Sequence, residues 1–122
     1  MKNFNSIKKN EEFKYIYKNG KSYANKYLVM YVSDRDTSVN RIGISVSKKV
    51  GNSVVRHRLT RLLREIFRLN EYKISEKKDI VLVVRVNAKN CVYRELESAF
   101  LHLLKIHHLL GRDEISWIQS AN

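Results

Sequence analysis

The chain's 122 residues are enough for one domain around a single modest core, and an apolar share of 43% with 10% aromatics excludes a disordered tail. Lysine and arginine number 24 against 12 acidic residues, a formal net charge of +12 that calls for a polyanionic partner. Cys91 is the single cysteine, which excludes an internal disulfide and a cysteine-built metal site and fits a reducing compartment. No apolar run approaches a membrane span, and the opening MKNFNSIKKNEEF lacks the continuous apolar segment of a secretory signal. The expectation is a cytoplasmic protein of one domain, residues 1–122, without a membrane partner.

The stretch NEEFKYIYKNG reads as a short helix. Asn10 is the candidate cap, Glu11 and Glu12 suit the positive N-terminal end, and Gly20 suits the stop. Phe13, Ile16 and Tyr17 share a face. KYLVMYVS then reads as a strand whose period of two sets Tyr27, Val29 and Tyr31 against Leu28, Met30 and Val32. RIGISVS is the next strand, with Ile42, Ile44 and Val46 opposite Gly43, Ser45 and Ser47. The short loop DRDTSVN between them predicts an antiparallel hairpin, one face apolar and the other carrying tyrosines and small hydroxyls.

In SVVRHRLTRLLREIFR, spacing at about 100° per residue gathers Val55, Leu59, Leu62, Leu63 and Ile66 on one side of a helix. Arg56, His57, Arg61, Arg64 and Arg68 gather on the other, with Arg58 near the edge. Asn52 or Ser53 caps the helix, and Lys48, Lys49 and Gly51 precede it. Like charges at helical neighbours repel by roughly 0.2–0.5 kcal/mol per pair, and only Glu65 gives local relief. A helix selected for stability alone would interleave acids. The crowding therefore reads as a phosphate-binding face, since the planar fork of arginine grips phosphate oxygens in pairs. The face lacks the asparagine and glutamine readers of a DNA major-groove helix, and the tyrosine-bearing sheet offers stacking surfaces for unpaired bases, so RNA is favoured over DNA.

DIVLVVRV is a near-continuous apolar run, the mark of a strand covered on both faces, and the helix before it makes a parallel crossover the natural connection. YRELESAFLHLLKIHHLLG closes the pattern as an amphipathic helix with Leu96, Phe100, Leu103, His107 and Leu110 on one stripe and Gly111 as its stop. Helix, two or three strands, helix, strand, helix implies an α+β or α/β sandwich around one sheet.

RIGISVSKKVGNSVVRHRLTRLLRE resembles the signature region of the bacterial ribonuclease P protein component. The similarity includes the opening IKKNEEF and the strand LVMYVS, extends weakly through the last helix, and so covers most of the chain. It implies a subunit that binds a large catalytic RNA and helps it remove the 5′ leader of precursor transfer RNA. It implies that the RNA performs the hydrolysis with Mg2+, while the protein alone binds no cofactor, holds no metal and carries no catalytic residue. The implied fold is an α+β sandwich in the order α-β-β-β-α-β-α, with a left-handed β-α-β crossover through the basic helix, against the right-handed rule obeyed in about 98% of such units.

The family's basic-helix signature is Arg-Asn-Arg. Arg56 and Arg58 match it, and His57 stands where the family has an asparagine implicated in leader contacts. Lys48, Lys49, Asn52, Arg61 and Arg64 match further basic or polar signature positions, and Arg68 extends that face. Phe13, Tyr17 and Tyr31 match aromatic positions of the family's leader-binding cleft, Ser45 and Ser47 align with its strand residues, and Val29 shares the face of Tyr31.

Two rivals use the same composition. A self-sufficient nuclease would want clustered carboxylates as hard-ion ligands, and the acids here show no cluster by spacing. His102, His107 and His108 lack an i, i+4 pair and read as packing or surface residues rather than ligands. A ribosomal protein or RNA chaperone would use the basic face structurally, and only the signature separates it from a processing subunit. Trp117 reads as a packing anchor for the tail WIQSAN.

Overall fold

The computed structural model describes residues 5–111, so the expectation for Trp117 and its tail lies outside the described residues. The elements in chain order are β1 (Asn5–Ser6), α1 (Asn10–Asn19), β2 (Lys21–Ala24), β3 (Leu28–Asp36), β4 (Arg41–Ser45), α2 (Ser53–Asn70), β5 (Lys78–Val84) and α3 (Tyr93–Ile106). Single 3-10 turns at Glu71–Lys73 and Val86–Ala88 flank β5. This is the expected α+β order with one two-residue strand added in front.

The sheet runs β1-β4-β5-β3-β2. The apolar run of β5 occupies its centre, parallel to β4 through the α2 crossover and antiparallel to β3. The expected hairpin between β3 and β4 does not form, because β5 lies between them. Two strand spacings come to about 10 Å, which four connecting residues span with ease. The connection arches over the start of β5 and bonds to it: Thr37 N–H donates to the Lys77 carbonyl at 3.2 Å, and the Asn40 side chain accepts from Lys78 N–H at 2.8 Å. A short loop thus limited the distance between the two strands without requiring that they pair.

One face of the sheet carries Leu28, Met30, Val32, Ile42, Ile80, Leu82 and Val84, and α2 and α3 close over it with Leu59, Leu63, Ile66, Phe67, Leu96, Phe100, Leu103 and Leu104. Each fully buried side chain of this kind contributes roughly 1.5–3 kcal/mol. Tyr27 packs against this cluster too, contrary to the alternation, because the strand begins only at Leu28. The apolar cluster of the opposite face has Ile7, Ile16 and Val81 buried among the described residues, with Phe13, Tyr15, Tyr31 and Val83 partly covered.

Helix ends follow local chemistry. Asn52 caps α2, its side chain accepting from Val55 N–H at 3.0 Å. Asn10 is already inside α1; Lys9 occupies the cap position without a side-chain bond. Gly20 ends α1 as expected, for lack of room: a Cβ there would lie 2.6 Å from the Ile16 carbonyl oxygen and 2.9 Å from that of Val32. The last helix stops well before Gly111. His108 takes a left-handed backbone (φ 59°), its N–H bonding the Lys105 carbonyl at 3.0 Å and that of Leu109 the Leu104 carbonyl at 2.9 Å. This is the Schellman arrangement, with histidine where glycine is usual.

Candidate nucleic-acid interface

Helix α1 crosses the less covered face as a bar. Sheet register sets Tyr31, Val81 and Gly43 in one row and Ala24, Val29, Val83 and Ser45 in the next row on the same face. The helix lies on the first row. Ile16 is buried with Val81, and the Phe13 ring sits over Gly43, where a Cβ would come within 2.8 Å of it. Tyr17 meets Tyr31 edge to face with centroids 4.9 Å apart, and Phe13 lies 6.2 Å from Tyr17. Three rings from two elements thus form one wall, and the half-exposed row Val29–Val83–Ser45 is the floor beside it. Beyond the floor, a recess of about 310 Å³ opens where the parallel strands β4 and β5 end, lined by Ser47, Lys49, Val83 and Arg85 among others.

The other flank of α1 is polar. Arg41 of β4 donates from Nε and Nη2 to the two carboxylate oxygens of Asp79 on β5, at 2.8 and 2.7 Å. The same Nη2 reaches Glu12 in the first turn of α1 at 2.8 Å. The Asp79 hydrogen bond, with a smaller contribution from Glu12, raises the Arg41 pKa further above its already high value against the opposing effect of burial. Lower on the same flank, the Tyr15 hydroxyl donates to Asp34 at 2.9 Å and Arg35 stacks over the Tyr15 ring at 3.8 Å.

On the far side of the sheet, the outward face of α2 carries the cations. Ser53, Val54, His57, Arg58, Arg61, Leu62 and Glu65 line a shallow depression of about 780 Å³. The arginines differ in their commitments. Arg61 and Arg64 are exposed. Arg68 forks onto Glu65, Nε to Oε1 at 2.9 Å, and this hydrogen bond lowers the Glu65 pKa and raises that of Arg68. Arg58 donates to the backbone carbonyls of Cys91, at 2.8 Å, and Lys89, tying α2 to the loop before α3. Arg56 is half-buried, and its Nε has no hydrogen-bond partner among the described residues and no exposure to water. The Asn52 side-chain oxygen Oδ1 is taken by the cap, and Lys48 and Lys49 are exposed in the turn before it.

The histidines of α3 and its end are packing and surface groups. His107 Nε2 donates to the Met30 carbonyl at 3.0 Å, and its ring meets Tyr23 edge to face at 4.8 Å. Burial pushes its pKa below the ordinary value. A ring nitrogen that donates to a carbonyl is not free to bind a metal. Among the described residues no group of three or more His, Cys, Asp or Glu side chains is placed to hold a metal ion, and no helix is long and apolar enough to cross a membrane.

A family model for Ribonuclease P matches residues 1–108. The chain is 54% identical to the ribonuclease P protein component of Lachnoclostridium phytofermentans, over 89% of this chain and 94% of that one. It is 50% identical to that of Alkaliphilus metalliredigens, over 91% of this chain and all of its relative. The chain belongs to the ribonuclease P protein family. Among solved structures, the RNase P protein of Staphylococcus aureus matches with a TM-score of 0.79 at 37% identity, covering 89% of this chain and all of that one. The Thermotoga maritima RNase P protein matches with a TM-score of 0.77 at 31% identity, covering 87% and 98%. As a ribonuclease P protein component, the chain is the protein subunit of a ribonucleoprotein that processes transfer RNA.

Within the family framework, the structure joins Phe13, Tyr17 and Tyr31 in ring contact, sets Val29 and Ser45 on one row through Val83, and leaves Ser47 exposed at the end of that strip. His57, Arg61 and Arg64 are exposed and outward, as the helical spacing predicts, and Lys48 and Lys49 are exposed in the turn before the helix. The arginine helix packs on the other face of the sheet from the groove. Its apolar stripe draws it there, and the segment that contains Ser47, Lys48 and Lys49 runs from β4 to its start. Sequence reasoning missed Val83, Gly43, Arg41 and Asp79 as parts of the site. A lone glycine inside a strand pattern is itself a signal of close approach, and Gly43 carried it. The ion pair carried none, since its partners are 38 residues apart.

Proposed function

We propose that this chain binds the catalytic RNA of ribonuclease P through the outward cations of α2 and the turn before it, and holds the single-stranded 5′ leader of precursor transfer RNA in the groove beside α1. The holoenzyme then removes the leader and releases the mature 5′ end in the cytoplasm. Hydrolysis of the phosphodiester belongs in this reading to the RNA subunit, which uses Mg2+; the protein contributes binding and orientation. The carrying observation is the wall of Phe13, Tyr17 and Tyr31 above a half-exposed strip of sheet, on a chain of net charge +12. Unpaired bases stack on such rings with little regard to identity, which suits leaders of varied sequence. Mature transfer RNA has no leader to hold, so the product leaves.

Tyr17→Ala and Tyr31→Ala test the groove. Each is expected to weaken precursor binding by the holoenzyme about tenfold, the equivalent of roughly 1.4 kcal/mol from one lost stack, with mature transfer RNA unchanged. Dissociation constants for both RNAs at fixed salt and magnesium decide it. Equal weakening of both, or of neither, would make these rings packing groups only.

A further inference from the structure

The two flanks of α1 are mechanically one object. Glu12 and Phe13 are adjacent in the chain, Glu12 facing the polar flank and Phe13 the groove. Phe13 rests on Gly43 beside Ile7, so its height over the sheet follows the pose of α1. Buried Ile16 and the Tyr15–Asp34 bond hold the middle of the helix, and its first turn is held by Glu12, bonded to Arg41, which is in turn held in a two-point grip by the buried carboxylate of Asp79. The other end is fixed by Gly20 against the backbone of Val32. A helix of ten residues anchored at both ends can set its outer rings only as accurately as those anchors hold. The Arg41 grip is well suited to this. Its fork is planar and pre-organised, and Arg41 and Asp79 are registered partners on neighbouring strands, so the anchor point moves with the sheet that forms the groove floor.

We propose that Arg41, Asp79 and Glu12 are positioning residues for leader binding: they set the pose of α1, and so the spacing between the Phe13 ring and the Val29–Val83–Ser45 floor. None of them touches the leader. This rests on the reading of the groove given above, and it assigns a role in precursor recognition to residues that lie on the opposite side of the helix.

Glu12→Gln turns the charge-assisted bond to α1 into a weaker one with a neutral acceptor and leaves the Arg41–Asp79 pair in place. It is tested beside Phe13→Ala and the double variant, each assembled with the catalytic RNA. The expected result is that Glu12→Gln weakens precursor binding by about three- to tenfold, with mature transfer RNA and assembly unaffected, and that it adds nothing once Phe13 is alanine. Arg41→Lys, which keeps the charge and loses the fork, is expected to give the same split and stands in should Glu12→Gln fail to assemble. Losses that add in full in the double variant, that fall equally on mature transfer RNA, or that are absent while Phe13→Ala alone weakens the precursor, would overturn the positioning role. If Phe13→Ala itself leaves the precursor-to-mature ratio unchanged, it is the groove reading that fails, and the positioning role falls with it.

Discussion

On one face of the sheet, eight large apolar side chains of α2 and α3 close over the strands, and the residues between them are almost wholly buried. On the other, α1 lies over β3, β5 and β4; the apolar cluster there has three buried residues, Ile7, Ile16 and Val81, and Tyr17 is left 38% exposed. The first face has the density of a protein interior, where stability is made. The second holds aromatic and β-branched groups that fold stability would have covered or replaced by polar ones. In the proposed function, the apolar strip kept open beside a wall of rings is the surface that meets the leader. The chain thus divides its labour by sheet face, with cations placed on the outside of the stable half and stacking groups on the half left open.

The largest expected effect tests that division directly. Phe100→Ala on the closed face should cost about 3–5 kcal/mol, a large part of a domain's usual 5–15. Val29→Thr on the open strip should cost under about 1.5 kcal/mol, because its position is already half-exposed. Urea unfolding of both variants measures the difference. Comparable losses would mean that the open strip is core, and the comparison between the faces would collapse.

Next in size is the contrast among the arginines. Arg58→Ala removes two charge-assisted bonds to carbonyls and should destabilise the domain by about 1.5–3 kcal/mol, lowering its melting temperature before any RNA is added. Arg61→Ala should leave the melting temperature in place. It should instead flatten the dependence of log affinity for the catalytic RNA on log salt, by up to about 0.9 if its contact is to a duplex phosphate. Swapped outcomes would show that Arg58 reaches the RNA and that its carbonyl contacts are dispensable.

What was legible in the sequence was everything with a short period. The two-residue alternation of RIGISVS and the heptad-like spacing of α2 gave correct faces, because side-chain direction is set by the local backbone. Strand order was not legible. Alternation says which face a residue takes and nothing about which strand lies alongside, so the insertion of β5 between β3 and β4 was missed. The site divides in the same way. Phe13 and Tyr17 share a helix face by spacing alone, whereas the Glu12–Arg41–Asp79 link and the capture of the Lys89 and Cys91 carbonyls by Arg58 join residues that only the folded topology brings together. Helical spacing set Arg58 near the edge of the cationic face and the family signature gave it an RNA-binding role; neither carried this second claim on its guanidinium.

The smallest effect concerns the closed face and runs in the stabilising direction. Gly111 looked like the stop of the last helix, yet the chain reverses at His108, whose φ of 59° places a side-chain-bearing residue in the left-handed region. The turn is kept because Leu109, the next residue, is carried back into the core beside Leu104, and two backbone bonds close the helix end. A residue with a Cβ is penalised there by roughly 1–2 kcal/mol, part of which glycine gives back through its greater freedom in the unfolded chain. His108→Gly should therefore raise stability by about 0.5–1 kcal/mol, seen as a rise of a few degrees in melting temperature. The imidazole of His108 is exposed on the side of the molecule away from the groove face, so precursor and mature transfer RNA should bind as before. Stability gained with unchanged binding would sharpen the separation of the two faces. A change in the precursor-to-mature ratio would instead show that the end of α3 communicates with the groove.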